Sequence, residues 1–129
     1  VVSHNNNSIK SIIIQNENDI IKLSKDINII GLDEIQFFSK DFVKICINLA
    51  NQGKRIIISG LDKDYKGSPF GIMPELMCEA ELVTKLTAIC NQCGEYASFT
   101  KRTSDSKDQV LLGETDIYEA NCRSCFYKN

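Results

Sequence analysis

Four of the six cysteines form two Cys-x-x-Cys pairs, a spacing that presents thiolates to a metal ion. The first pair is Cys90 and Cys93, and the second is Cys122 and Cys125. Four thiolates suit tetrahedral Zn²⁺ at about 2.3 Å per bond and leave no open position, so the predicted zinc is structural. Two redox pairs or plain buried thiols are the alternatives. Such pairs also indicate a reducing compartment, and we expect a cytoplasmic protein.

Asp33 and Glu34 are a second group that could do chemistry, because they directly follow the apolar run at residues 27–32. An apolar strand that ends in carboxylates matches the Walker B pattern of P-loop nucleotidases, where the strand opens onto a crevice at the sheet edge. There an aspartate can hold Mg²⁺ through water, and the adjacent carboxylate can act as a base. A solvated acidic turn is the alternative interpretation.

The phosphate loop that accompanies such a strand has the pattern G-x-x-x-x-G-K-[ST], which these 129 residues do not contain. The only Gly-Lys pair, Gly53-Lys54, is followed by Arg55 and does not fit. The chain also begins with Val1 instead of Met. We therefore expect a longer protein whose phosphate loop lies upstream, and we expect the 129 residues alone to be inactive.

Aromatic side chains follow both apolar runs of the predicted sheet. Phe37 and Phe38 come after the acidic pair, and Tyr65 and Phe70 come after the run at residues 54–60. Because both groups leave the carboxyl ends of adjacent strands, they can converge on one pocket, where aromatic faces can stack on a planar base. Core packing is the alternative, and we favour it for Phe38.

The elements that must position these residues are indicated by the spacing of apolar side chains. Residues 27–60 predict a strand, a helix over 42–51 that ends at Gly53, and a second strand, which is a βαβ unit with a parallel sheet. Further helices are predicted at 17–25 and 75–80, and further strands at 8–14, 82–89, 96–100 and 109–112. Cys46 and Cys78 lie on helical segments and are expected in the core.

The composition argues against two classes of partner. The formal net charge is −2, which disfavours a polybasic nucleic-acid binder, and we expect no nucleic acid among the partners. No apolar run approaches the roughly 18–20 residues of a membrane span, and we expect no membrane partner. Lys101 and Arg102 face either a nucleotide or solvent, and the sequence does not decide between these two environments.

Taken together and in order, these residues resemble the cellular-type (type II) thymidine kinases. The similarity runs through the whole chain and includes Asp33-Glu34-x-Gln36-Phe37-Phe38, Gly53-Lys54, Leu61-Asp62, Pro69-Phe70-Gly71, Lys85-Leu86-Thr87-Ala88, both cysteine pairs, Thr100-Lys101-Arg102 and Tyr118. The resemblance implies an α/β fold: a RecA-like P-loop nucleotide-binding domain with a mainly parallel sheet, and a small zinc-ribbon-like subdomain. Residues 1–88 would be the remainder of the kinase core, and residues 89–129 the zinc-binding subdomain.

The same resemblance implies transfer of the γ-phosphoryl group of ATP to the 5′-hydroxyl of thymidine, which gives dTMP. It implies structural Zn²⁺, Mg²⁺ with ATP, dTTP as a feedback inhibitor and a homotetramer. Glu34 would be the general base, and Asp33 would help to hold Mg²⁺ through water. The thymidine pocket would be formed by Phe37, Leu61, Tyr65, Phe70, Thr100, Leu111, Leu112, Gly113 and Tyr118. Residues 111–113 would contribute backbone hydrogen bonds.

Two other functions are compatible with parts of the pattern. A zinc-ribbon module that binds nucleic acid or protein would explain the cysteines but gives no role to Asp33 and Glu34. A degenerate homologue that binds a nucleoside without phosphorylating it would explain the missing phosphate loop.

Overall fold

The computed structural model describes residues 9–103 and 117–128. Its helices and strands follow the order α1 (Asp19–Leu23), β1 (Ile29–Leu32), a 3₁₀ turn (Ile35–Phe37), α2 (Asp41–Asn51), β2 (Arg55–Ile58), α3 (Met73–Glu79), β3 (Ala88–Ile89), β4 (Tyr96–Ala97), β5 (Phe99–Arg102), β6 (Tyr118–Asn121) and α4 (Arg123–Tyr127). Within the described ranges, no helix has the length and apolar character required to cross a bilayer.

The predicted βαβ unit is confirmed. Strands β1 and β2 pair in parallel, in a register that runs from Ile29 opposite Arg55 to Leu32 opposite Ile58. Helix α2 connects them, and Gly53 follows its end with φ 83°, a conformation that glycine adopts without a Cβ penalty. One face of the sheet packs on α1, α2 and α3 around a core of Ile20, Ile30, Leu32, Ile35, Phe42, Val43, Cys46, Leu49, Ile72, Met73 and Leu76.

Of the predicted strands, one is absent and another is mostly absent from the described residues. Residues 9–14 have no regular structure, and neither do residues 82–87. The side chains of Leu82 and Leu86 are 79% and 88% exposed, so β propensity there is not matched by burial. Only Ala88–Ile89 forms a strand, and it pairs with Tyr96–Ala97 beside the cysteines. The predicted strand at 82–89 is therefore wrong over most of its length.

Cys46 and Cys78 differ in burial, although both lie on helices as predicted. Cys46 is buried on α2, whereas Cys78 on α3 is exposed, so the prediction that it belongs to the core is wrong. On α3 the buried side chains are Met73 and Leu76, three residues apart on one face. Cys78 lies two residues beyond Leu76, which turns its side chain to the opposite face.

A second, smaller unit contains the four paired cysteines. Strands β5 and β6 form an antiparallel hairpin in which Phe99 pairs with Asn121 and Arg102 pairs with Tyr118. The buried core of this unit contains Cys90, Cys122, Cys125 and Ala97, with Ala120 packed against it. The predicted strand at 109–112 lies outside the described residues, and the boundary between residues 88 and 89 stays a prediction.

Candidate active site and metal centre

Asp33 and Glu34 occupy a tight turn immediately after β1. Glu34 has φ 55° and ψ 36°, the left-handed region that residues other than glycine adopt uncommonly. Oδ1 of Asp33 accepts hydrogen bonds from the backbone N–H of Glu34, at 3.0 Å, and from the hydroxyl of Ser59. Because Ser59 directly follows β2, the parallel pairing brings the ends of both strands to one edge of the sheet.

Gln36 holds this turn against the loop that follows β2. Its buried Nε2 donates to Oε2 of Glu34 at 2.6 Å, and its Oε1 accepts from the backbone N–H of Leu61 at 3.1 Å. Sequence reasoning quoted Gln36 in the motif but assigned it no role. Its partner Leu61 is 25 residues away in the chain, and only the folded structure reveals the contact.

The aromatic residues divide between a pair at the carboxyl edge of the sheet and the core. The rings of Phe37 and Phe70 meet edge to face with centroids 5.5 Å apart, which brings together the two groups that were predicted to converge. Phe37 is half exposed and Phe70 is buried, while Leu61 is 48% exposed. Phe38 packs on Phe42 with centroids 4.5 Å apart, as favoured from the sequence.

Arg102 lies between two of the predicted pocket residues. Its guanidinium carbon is 3.7 Å from the ring centroid of Tyr65 and 5.2 Å from that of Tyr118, and its Nη2 donates to Oη of Tyr118 at 2.7 Å. Arg102 is buried, so it does not face open solvent, and the contact with a nucleotide stays a prediction. Thr100 is half-buried and, two residues from Arg102 on β5, shares its face of the hairpin. Residues 111–113 lie outside the described ranges.

Lysines surround a carboxylate in the loop after β2. Nζ of Lys85 lies 2.9 Å from Oδ2 of Asp62, and Nζ of Lys63 lies 3.4 Å from the same oxygen. Burial opposes ionisation of Asp62, but the hydrogen bond from Lys85 and the charge of Lys63 outweigh it and lower its pKa. Lys63 also donates to the carbonyl of Ser98 at 3.3 Å and so connects this loop to the cysteine-containing unit.

The four paired cysteines form one cluster. The sulfur atoms of Cys90, Cys93, Cys122 and Cys125 lie within 4.8 Å of one another, and those of Cys93 and Cys122 are 3.6 Å apart. The edge of a tetrahedral site with Zn–S bonds of 2.3 Å is about 3.8 Å, so the spacing fits a metal ion. All four thiols are free and so are available as metal ligands.

The ionisation of these thiols is uneven. A backbone hydrogen bond from Cys122 lowers the pKa of Cys90 to about 6. Hydrogen bonds with the thiols of Cys93 and Cys122 raise the pKa of Cys125 to about 12. Four adjacent sulfurs cannot all become thiolates without a compensating cation. A metal ion bound by these closely spaced sulfurs would replace the thiol protons.

Comparison with known proteins gives a consistent result. The family model described as "Thymidine kinase" matches residues 1–126. The thymidine kinase of Bacteroides fragilis is 48% identical over 128 residues, which cover 99% of this chain and 64% of that protein. The thymidine kinase of Rhodothermus sp. is 44% identical over 126 residues, which cover 98% of this chain and 59% of that protein. That of Porphyromonas gingivalis is 43% identical over 128 residues, covering 99% and 63%.

The chain thus spans about six tenths of the length of the curated relatives it matches. The family match at residues 1–126 includes the acidic turn, both cysteine pairs and every helix and strand described above except the last residue of α4. This chain belongs to the thymidine kinase family.

Proposed function

We propose that the complete protein transfers the γ-phosphoryl group of ATP to the 5′-hydroxyl of thymidine, which gives dTMP. The observation that carries this proposal is the position of the Glu34 carboxylate at the carboxyl end of β1, where it accepts a hydrogen bond from Gln36. Phe37, which follows Gln36 in the chain, packs on Phe70 beside it. A carboxylate beside the aromatic rings of Phe37 and Phe70 suits a substrate that has a planar nucleobase to stack and a hydroxyl group to be deprotonated. Relatives that carry the name thymidine kinase support it.

In this proposal Glu34 is the general base that accepts the proton of the 5′-hydroxyl. Asp33 contributes a carboxylate that holds Mg²⁺ through water, since its second oxygen is not used in the bonds to Glu34 and Ser59. Mg²⁺ would neutralise charge on the phosphates, as in phosphoryl transfer generally. The fold would be a RecA-like P-loop domain, and ATP binding would need a phosphate loop that residues 1–129 do not contain.

The thymidine pocket is proposed to combine residues from both units. Phe37 and Phe70 form its aromatic wall, Leu61 adds an exposed apolar side chain, and Tyr65 and Tyr118 are held by Arg102. Thr100 and the backbone of residues 111–113 complete the proposed set. The two units contact each other through Lys63 and Ser98, so the cysteine cluster would stabilise one side of the pocket.

We assign structural zinc to the cysteine cluster, because four cysteines leave no position open for a substrate or water. Feedback inhibition by dTTP and a homotetrameric assembly are further proposals, supported by the family membership. Cytoplasmic localisation is proposed because free thiols in a metal cluster require a reducing compartment.

The assignment of the base is tested by Glu34→Gln in the complete protein, with Glu79→Gln as the control at an exposed position on α3. We expect dTMP formation by Glu34→Gln to fall about 10²–10⁴-fold, because an amide cannot accept the proton. The control should keep the wild-type rate. Wild-type turnover in Glu34→Gln would contradict the role of Glu34, and thymidine binding without any turnover by the wild-type protein would favour a nucleoside-binding homologue.

A further inference from the structure

One amide group connects two parts of the candidate site. Nε2 of Gln36 donates to Oε2 of Glu34 at 2.6 Å, and Oε1 of Gln36 accepts from the backbone N–H of Leu61 at 3.1 Å. Gln36 is 3% exposed, so bulk water competes little for either bond. Since a carboxylate only accepts and a backbone N–H only donates, this orientation of the amide is the one that satisfies both partners.

Two glycines, Gly60 and Gly71, lie in close contact with Gln36. A Cβ atom built on Gly60 would lie 2.5 Å from the side-chain oxygen Oε1 of Gln36. A Cβ atom built on Gly71 would lie 2.0 Å from the backbone carbonyl oxygen of Gln36. Both glycines therefore allow approaches that a side chain would prevent. The position of the Gln36 amide is set by three segments of the chain and not by local rotamer preference alone.

We propose that Gln36 is a positioning residue, which orients the Glu34 carboxylate and holds Leu61 at the nucleoside pocket. The proposal rests on the proposed function, in which Glu34 is the base and Leu61 lines the pocket. With Oε2 of Glu34 engaged by Gln36, Oε1 is the oxygen that accepts the proton from the 5′-hydroxyl. Gln36 acts through Glu34 and Leu61 and makes no contact with the reacting atoms.

Two substitutions of Gln36 distinguish the effect of its hydrogen bond to Glu34 from that of its hydrogen bond with Leu61. Gln36→Glu keeps the size of the side chain and an oxygen for the N–H of Leu61, but it replaces the donor to Glu34 by a second carboxyl group. Gln36→Met keeps approximate length and removes both bonds. The charged neighbours are unchanged in both variants: Asp33 on the same turn, Asp62 and Lys63 on the facing loop, and Lys85 between α3 and β3.

The variants are expected to differ in kinetics measured on the complete protein. In Gln36→Glu, two adjacent carboxyl groups share a proton, so the acidic limb of the kcat profile moves to higher pH while KM for thymidine stays near wild type. In Gln36→Met, kcat falls about 10–100-fold because the base is misplaced, and KM rises because Leu61 is released. The acidic limb of the kcat profile should stay at the wild-type pH in Gln36→Met, in contrast to Gln36→Glu.

Hydrogen exchange tests the positioning without relying on turnover. The backbone N–H of Leu61 should exchange faster in Gln36→Met than in wild type and should keep most of its protection in Gln36→Glu. Gln52→Met, at an exposed position after α2, is the matched control and should behave as wild type in all measurements.

The outcomes are separable from failure of the proposed function. Wild-type kcat, KM and pH profile in both variants, or unchanged exchange of the Leu61 N–H in Gln36→Met, would overturn the proposal. If Gln36→Met does not fold, the pH profile of Gln36→Glu decides. If the wild-type protein makes no dTMP, the proposed function fails, and with it the proposed role of Gln36 in orienting Glu34. The hydrogen-exchange comparison of the Leu61 N–H then still decides whether Gln36 holds Leu61.

Discussion

At the scale of single residues, the backbone of Glu34 has the most unusual geometry in the described chain. It is the only residue other than glycine with a positive φ among those described. The left-handed conformation costs an L-residue about 1–2 kcal/mol, because Cβ approaches the following carbonyl oxygen. Two hydrogen bonds oppose this cost: the backbone N–H of Glu34 donates to Asp33, and the carboxylate of Glu34 accepts from Gln36. Strain of this kind is typical of functional positions.

A comparison of Glu34→Gly with Glu34→Ala measures this strain. Both variants lose the carboxylate and its bond to Gln36, but only glycine removes Cβ. We expect the glycine variant to be more stable by about 0.5–1 kcal/mol, after its larger unfolded-state entropy is subtracted. Urea unfolding of the two proteins provides the measurement. An alanine variant that is as stable as the glycine variant would show that the turn is relaxed.

At the scale of elements, the candidate site depends on how the 3₁₀ turn after β1 meets the loop before α3. Gly71 has φ 53° and lies against the backbone of Gln36. The same loop carries Phe70, whose ring packs on Phe37. The close approach at Gly71 therefore determines where the aromatic wall stands relative to Glu34.

Gly71→Ala is expected to destabilise the protein more than Gly53→Ala. Both glycines have positive φ, but a Cβ at Gly53 would meet nothing within 4 Å, whereas one at Gly71 would overlap the carbonyl of Gln36. The conformational cost is thus common to both, and the overlap should add about 1–3 kcal/mol at Gly71. Free energies of unfolding from urea titrations measure the difference. Equal destabilisation would show that the backbone of Gln36 moves away without cost.

At the scale of the whole molecule, two cores of different chemistry stabilise the described chain. The larger one is an aliphatic and aromatic core around β1, α2 and α3. The smaller one contains three cysteines and Ala97, with Ala120 against it, and lies beside an aromatic group in which the buried Phe99 packs on Phe126 and Tyr127. Metal ligation would supply much of the folding free energy of the smaller unit, as is usual in small metal-binding domains.

Cys93→Ser and Cys78→Ser form a matched pair, because both cysteines are exposed but only Cys93 belongs to the cluster. We expect Cys93→Ser to lose bound zinc and to lose exchange protection in β5 and β6, while β1 and β2 keep theirs. Cys78→Ser should keep both. Metal analysis and hydrogen exchange provide the measurements. Full zinc content in Cys93→Ser would contradict the assignment of this ligand.

The sequence was sufficient to predict the parts of the fold that depend on local patterns. The helix α2, the parallel pairing of β1 and β2 and the grouping of the cysteines follow from apolar spacing, the glycine after the helix and Cys-x-x-Cys spacing. The strand predicted at 82–89 failed over residues 82–87 because Leu82 and Leu86 face solvent and pair with no strand in the described part of the chain. The roles of Gln36 and Arg102 could not be predicted, since their partners Leu61 and Tyr65 are distant in the chain.

The crowding around Gln36 has a consequence for the history of the family. Gly60 and Gly71 both leave room for this one side chain and its backbone, so a change at any of the three positions alters the space available to the other two. We expect lineages that replace the glutamine to accept a side chain at position 60 but to keep glycine at position 71, because Gly60 faces the side chain of Gln36 whereas Gly71 has a positive φ and faces its backbone.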